Sequence, residues 1–387
     1  MSGANHSDIS LPTSDAVGPR SSRRVFVVAG MHRAGTSILG RALQALGVDL
    51  GDRLMAADVR MNARGFYEDL DIVKLDDALL DILGADWKSV ALLHGIDWDE
   101  QRFVGLQADA EAVLGARFSR TATFGFKDPR IPRILPFWQR VFARFGADDA
   151  YVIAVRHPLS VIDSLVVRDR LDVRRSGWLW LTHLLCALRY TMGKRCVVVD
   201  YDRMLDAPRA ELERIGAELR LDAAPVPERE IDVFTAQFLS TELRHAWHAD
   251  AEIATLPSLV QDAYRLAQRL ARGDAGVGSE ATKDEIGVLF ARLLDFAPLL
   301  DYAGGVERFA DEVPRLEAEL AWARDSFAES KRHCESLEQG LQRSTTYVSD
   351  LEATLARKEA ELVAAHAKLT QVAEHVLGRF VLRETKG

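Results

Sequence analysis

From residue 24 onward, short β-branched runs alternate with longer stretches of helical period, the pattern of βα units around a parallel sheet. Strands are predicted over 25–29, 123–126, 151–155 and 196–199. The first leads into a turn over 30–37 and a helix carrying Ile38, Leu39, Leu43 and Leu46 that ends at Gly47. The others lead into helix-like runs over 132–145, 158–169 and 208–219, each with a proline near its first turn, where the fixed φ of proline suits a helix start. The apolar segment 178–188 is broken by Thr182 and His183 and reads as a buried helix. Residues 220–305 carry few strand signals and read as mixed helices and loops over the site or the acceptor. The fold class is therefore α/β over 24–305: a parallel sheet flanked by helices with a P-loop-like nucleotide site. Residues 1–23 are rich in Ser, Gly, Pro and Asp and are expected to form a disordered tail, because they bury too little to offset their ordering entropy.

The pattern changes after residue 305. From Val313 to Val376 the spacing alternates between three and four residues, and sixteen of the nineteen seam positions are apolar. Sustained heptads with charged residues between them are the signature of a left-handed coiled coil, assigned here to 306–387. Unbroken, the stripe would extend roughly 95 Å at 1.5 Å per residue. A helix with such a stripe wants a partner, and self-association is the simplest one. An antiparallel fold-back over 340–346, where helix formers are weakest, is the next.

Composition narrows the function classes. Of 387 residues, 48% are hydrophobic and 28% charged, so a sizeable core is available. The 49 basic and 58 acidic residues give a net charge of −9, which argues against a nucleic-acid or anionic-membrane surface. Any anion site must be local. No run approaches the ~20 apolar residues of a transmembrane helix, and no secretory signal is evident, so a cytoplasmic location is expected. Cys186, Cys196 and Cys334 show neither paired nor metal-like spacing and read as free thiols.

Two segments carry candidate chemistry. Gly30-Met31-His32-Arg33-Ala34-Gly35-Thr36-Ser37 follows a strand and opens a helix, where backbone N–H groups cradle phosphate oxygens. Its spacing matches the phosphate loop of NTPases, but Thr36 stands where their lysine would be, so the cation is expected from Arg33. Arg156-His157-Pro158 follows another apolar strand, and Ser164 lies two helical turns on. A fork donor and a hydroxyl can converge there on one anion, at the carboxyl ends of parallel strands where ligands bind.

Together these segments, from about Val25 to Leu221, resemble the PAPS-dependent sulfotransferases, in particular the bacterial and Golgi-type branch of tyrosylprotein and carbohydrate enzymes. His32-Arg33-Ala34-Gly35-Thr36-Ser37 is similar to the family's 5′-phosphosulfate loop, and Arg156 with Ser164 to its 3′-phosphate pair. Phe126-Lys127-Asp128-Pro129-Arg130 resembles a Lys-Asp-Pro segment whose lysine helps stabilise the transferring group. Residues 199–205 are similar to the family's late strand and its following turn. The segment Asn62 to Asp69 resembles one that carries the catalytic glutamate, here Glu68.

The resemblance implies in-line sulfuryl transfer from PAPS to a hydroxyl acceptor without a metal, a glycan being expected ahead of a tyrosine. Arg33, Ala34, Gly35, Thr36, Ser37, Arg156 and Ser164 would bind the donor, while Arg33, Lys127 and Glu68 would be catalytic. Asp128 and His94 are reserve bases, residues 243–245 a reserve cation, and His32 and His157 are expected to shape turns or meet phosphate. A single-charged sulfuryl group demands less countercharge than a terminal phosphoryl group. The alternatives are a P-loop phosphotransferase and a coiled-coil adaptor with an inactive α/β domain.

Overall fold

The computed structural model describes residues 23–58, 65–221, 228–239 and 248–384. All of the expected tail except Arg23 lies outside these residues, as do 62–64 and 243–245. Four strands form one parallel sheet: β1 (Arg24–Ala29), β2 (Thr123–Lys127), β3 (Asp148–Val155) and β4 (Arg195–Asp200), in the order β2-β1-β3-β4. Strands covered on both faces need apolar side chains on both, and Val25 to Val28 are all fully buried. The fold is thus α/β with a parallel sheet between helices, and a long helix closes the chain.

β1 pairs with β2 on one side and β3 on the other, so the chain reverses direction across the sheet between β1 and β3. In open α/β sheets this switch point opens a crevice beyond the strands' carboxyl ends. β3 begins three residues ahead of its apolar run, because Asp148 and Asp149 already pair with Arg24 and Val25. Backbone pairing extends there past the reach of hydrophobicity.

The helices follow in order: α1 (Thr36–Ala45), α2 (Leu70–Ile82), α3 (Val104–Phe118), α4 (Ile131–Phe145), α5 (Pro158–Asp169) and α6 (Val173–Tyr190). Next come α7 (Tyr201–Asp206), α8 (Pro208–Leu219), α9 (Glu228–Asp232), α10 (Ser258–Arg272), α11 (Glu280–Leu294) and α12 (Ala297–Glu384). α4 shows the construction. Ile131, Ile134, Leu135, Trp138, Val141 and Phe142 form its buried stripe, Pro132 sits in its first turn, and Gly146 ends it at φ 73°. Trp138 Nε1 donates to Asp76 Oδ1 at 2.8 Å and so fixes α2 beside it. The segment 178–188 lies in α6 and is largely buried. The region 220–305 is mostly helical where described, with a loop over 273–279, and α10 packs on β4, β3 and α6 rather than lying only over the strand ends.

The chain divides into two compact units, Met1–Phe309 and Ala310–Gly387. Ala297 and Leu300 of α12 belong to the core of the first. In the second, the helix runs without interruption through 340–346, so the fold-back turn considered there is not formed.

Candidate functional site

Two neighbouring strands deliver the central residues. After β1, the chain turns through Arg33 at φ 68° and Gly35 at φ 93° before entering α1. A Cβ at Gly30 would stand 2.7 Å from that of Ala154 on β3, and one at Gly35 would run into the ring of Tyr201. Both glycines are therefore demanded by close packing. A left-handed arginine is uncommon and stores strain of about 1 kcal/mol or more, a cost concentrated at functional sites. Gly35 offers α1 no side-chain cap, and no acid occupies the first turn of this helix. The positive end of the helix dipole consequently meets no counter-anion from its own sequence.

The end of β3 reaches into the same place. Arg156 Nη1 donates to the Arg33 carbonyl at 3.1 Å, and its guanidinium lies 4.2 Å over the Tyr201 ring, the ring that packs on Gly35. Arg33 Nε donates to Ser164 Oγ at 2.7 Å. Arg33, Gly35, Arg156 and Ser164 are thus brought into one contiguous cluster from strand ends more than a hundred residues apart in sequence. The sequence split this set into a 5′ pair and a 3′ pair; the structure shows that Arg33 touches both. Ala34 and Thr36 are buried behind the turn, and Ser37 Oγ donates to the Phe66 carbonyl at 3.3 Å.

Cations crowd this cluster. The Arg33 guanidinium is held below its ordinary pKa by burial and then by Arg168 and Arg156, and burial depresses Arg156 likewise. Arg168 was missed in the sequence. It lies one helical turn beyond Ser164 on the same face of α5, a spacing that could have flagged it. Guanidiniums that repel one another while partly desolvated gain when an anion joins them.

Glu68 and Lys127 form a second, adjoining pair. The segment before α2 turns through Gly65 at φ 94° and Tyr67 at φ 56°, and a Cβ on Gly40 of α1 would come within 3.0 Å of the Tyr67 Cβ. This packing presses the segment onto α1, next to the end of β2. There Lys127 Nζ donates to Glu68 Oε1, with both side chains buried. Burial raises the Glu68 pKa and Lys127 pulls it back, while Asp128 pushes it further up.

Lys127 does not pair with Asp128, whose carboxylate takes Arg130 at 2.9 Å. Glu68 lies just ahead of α2, whose cap is Asp69, accepting from the Asp71 amide at 2.9 Å. Of the reserve bases, Asp128 is fully buried on Arg130 and His94 is exposed.

His32 feels the charges of both groups. Its ring centroid is 4.3 Å from that of Trp87, and its Nε2 is sealed from solvent without a hydrogen-bond partner in the structure. Burial, then Arg168, Arg130 and Lys127, push its pKa well below the ordinary value, so it stays neutral at physiological pH. His157 precedes α5 and stacks on His248, centroids 5.7 Å apart, without capping the helix by its side chain.

No protein-family model and no curated protein matches the chain. Among solved structures, the sulfotransferase domain of the olefin synthase of Synechococcus PCC 7002 matches with 18% identity and a TM-score of 0.33, covering 65% of this chain and 94% of that one.

Proposed function

We propose that the chain transfers a sulfuryl group from PAPS to a hydroxyl acceptor. The observation that carries this reading is the joining of the β1 turn to the β3 end through Arg156 and the Arg33 carbonyl. Two anion cradles so coupled suit a donor with phosphates at both ends of one nucleoside. Uncapped amides at the start of α1, with Arg33, hold the 5′ end. Arg156 and Ser164 hold the 3′-phosphate. Because Ser164 Oγ accepts from Arg33, its own proton is left to point at a phosphate oxygen.

When bound, PAPS supplies the sulfuryl group. The chain's part is proton transfer and countercharge. Glu68 takes the proton of the acceptor hydroxyl as that oxygen bonds to sulfur and the bridging S–O bond breaks. A carboxylate whose pKa is raised by burial is a better base, which suits a carbohydrate hydroxyl ahead of a phenol. On protonation Glu68 ceases to neutralise Lys127, and the freed ammonium turns to the charge developing on the transferring group. Proton transfer and charge stabilisation are then one event.

Thermal protection tests the reading. A ligand at a hundred times its dissociation constant adds ~2.7 kcal/mol to folding stability. Adenosine 3′,5′-bisphosphate is expected to raise the melting temperature, and ATP with magnesium to leave it unchanged. The reverse result would assign the site to a phosphotransferase.

A further inference from the structure

The second unit presents an apolar stripe that no described residue covers. Leu316, Leu320, Leu337, Leu341, Leu351, Leu355, Leu362 and Leu369, all on the heptad seam, are 49–70% exposed. Phe327 and Val348 continue the same seam, exposed likewise. On a water-exposed helix of this length such a stripe is unstable alone. With Val313 as the first a position, the a positions include Leu320, Phe327, Cys334 and Leu341, and the d positions Ser330, Leu337 and Ser344.

We infer that this stripe is covered by a second copy of the same chain, parallel and in register. The flanking charges are compatible with that arrangement. In a parallel pair each g position faces the e′ position five residues on, which sets Glu319 against Arg324, His333 against Glu338 and Glu361 against His366. Glu312 against Glu317 is the one like-charged contact. An antiparallel overlap of the same stripe sets Arg324 against His366, Lys331 against Glu359 and Glu338 against Glu352, and its a–d′ layers set Ser330, Ser344 and Lys358 against apolar a positions, so the polar d positions rather than the charges separate the two directions.

Register follows from the polar d positions. Ser330, Ser344 and Lys358 meet their own counterparts only when the copies are unshifted; any slip by whole heptads sets at least one of them against an apolar layer. The Lys358 ammonium reaches out of the seam to Glu361 of its own helix at 2.7 Å, so its charge is not buried against its twin.

Cys334 makes the arrangement testable. It is exposed and lies at an a position, whereas Cys186 and Cys196 are buried in the first unit. Parallel and in register, the two Cys334 thiols face each other across the seam; in the antiparallel overlap they stand ~30 Å apart along the axis. The full-length protein is treated with a short bis-maleimide, whose two double bonds each add one thiol, and run on a denaturing gel, with Cys334→Ala as control. Light scattering gives the mass before reaction. The expected result is twice the 43.0 kDa chain mass in solution and a covalent dimer that the control lacks. A double mass without cross-linking overturns the parallel pairing. A single-chain mass overturns self-association and leaves the stripe to another protein.

Discussion

β3 and β4 lie side by side, both run straight into a helix, and they treat that helix in opposite ways. After β4, Asp200 turns its carboxylate back onto the amides of Asp202 and Arg203, at 3.1 and 3.0 Å, and accepts from Gln268 on the other side. After β3, α5 starts with neither a side-chain cap nor an acid in its first turn, and the residue ending the strand's run is Arg156. One βα turn carries its own anion. The other leaves its first turn without an acid or a side-chain cap, so that similar local architecture yields a structural joint at one strand end and a candidate anion site at the next.

Mutations at the two ends, and at the neighbouring β2 end, should separate these roles. Glu68→Gln should have the largest effect, lowering kcat about 10²- to 10⁴-fold with little change in donor KM, because general-base catalysis is lost while the nucleotide contacts remain. The raised Glu68 pKa also predicts that the wild-type rate falls with decreasing pH, through a value above the usual glutamate range, as the base becomes protonated. The variant's profile should lack that limb. An unchanged limb would remove Glu68 from the chemistry.

Arg156→Ala comes next. Losing a charge-assisted contact of ~1.5–3 kcal/mol should weaken binding of the 3′-phosphorylated nucleotide about 10- to 100-fold in calorimetry, with little effect on its analogue lacking that phosphate. Equal loss for both would make Arg156 a scaffold residue. The smallest change is expected for Asp200→Ala, which should cost ~1 kcal/mol of stability in denaturant unfolding while the preference for the 3′-phosphate survives. If Asp200→Ala abolished that preference, the contrast between the two strand ends would fail.

The strand ends were legible for a definite reason. A buried parallel strand must be a continuous apolar run, and proline marks the first turns of α4, α5 and α8, so these units stand out locally. Glycine spacing and an arginine eight residues before a serine are local signals too. What was not legible depended on contacts distant in sequence. The Glu68–Lys127 pair spans 59 residues, and the Arg33–Ser164 bond spans 131. Neither separation leaves a trace in spacing, so the partner of each group could not be read. Asp148 and Asp149 hid the start of β3 because they join it through backbone pairing and ion pairs to Arg195 and Lys194 rather than through an apolar run. α2 and α3 went unannounced since their apolar stripes are interrupted by acidic and small residues, and α2 is secured by Asp69 and by the Trp138 bond to Asp76.

The left-handed backbone of Arg33 has one more effect. With φ at 68° the residue aims its carbonyl at Arg156 while its side chain reaches Ser164, so one position pins the turn to both β3 and α5. The shape of the turn is therefore set while the chain folds. On the proposed reading, an anion arriving there would find it ready-made, with little of its binding energy diverted into reorganising the protein.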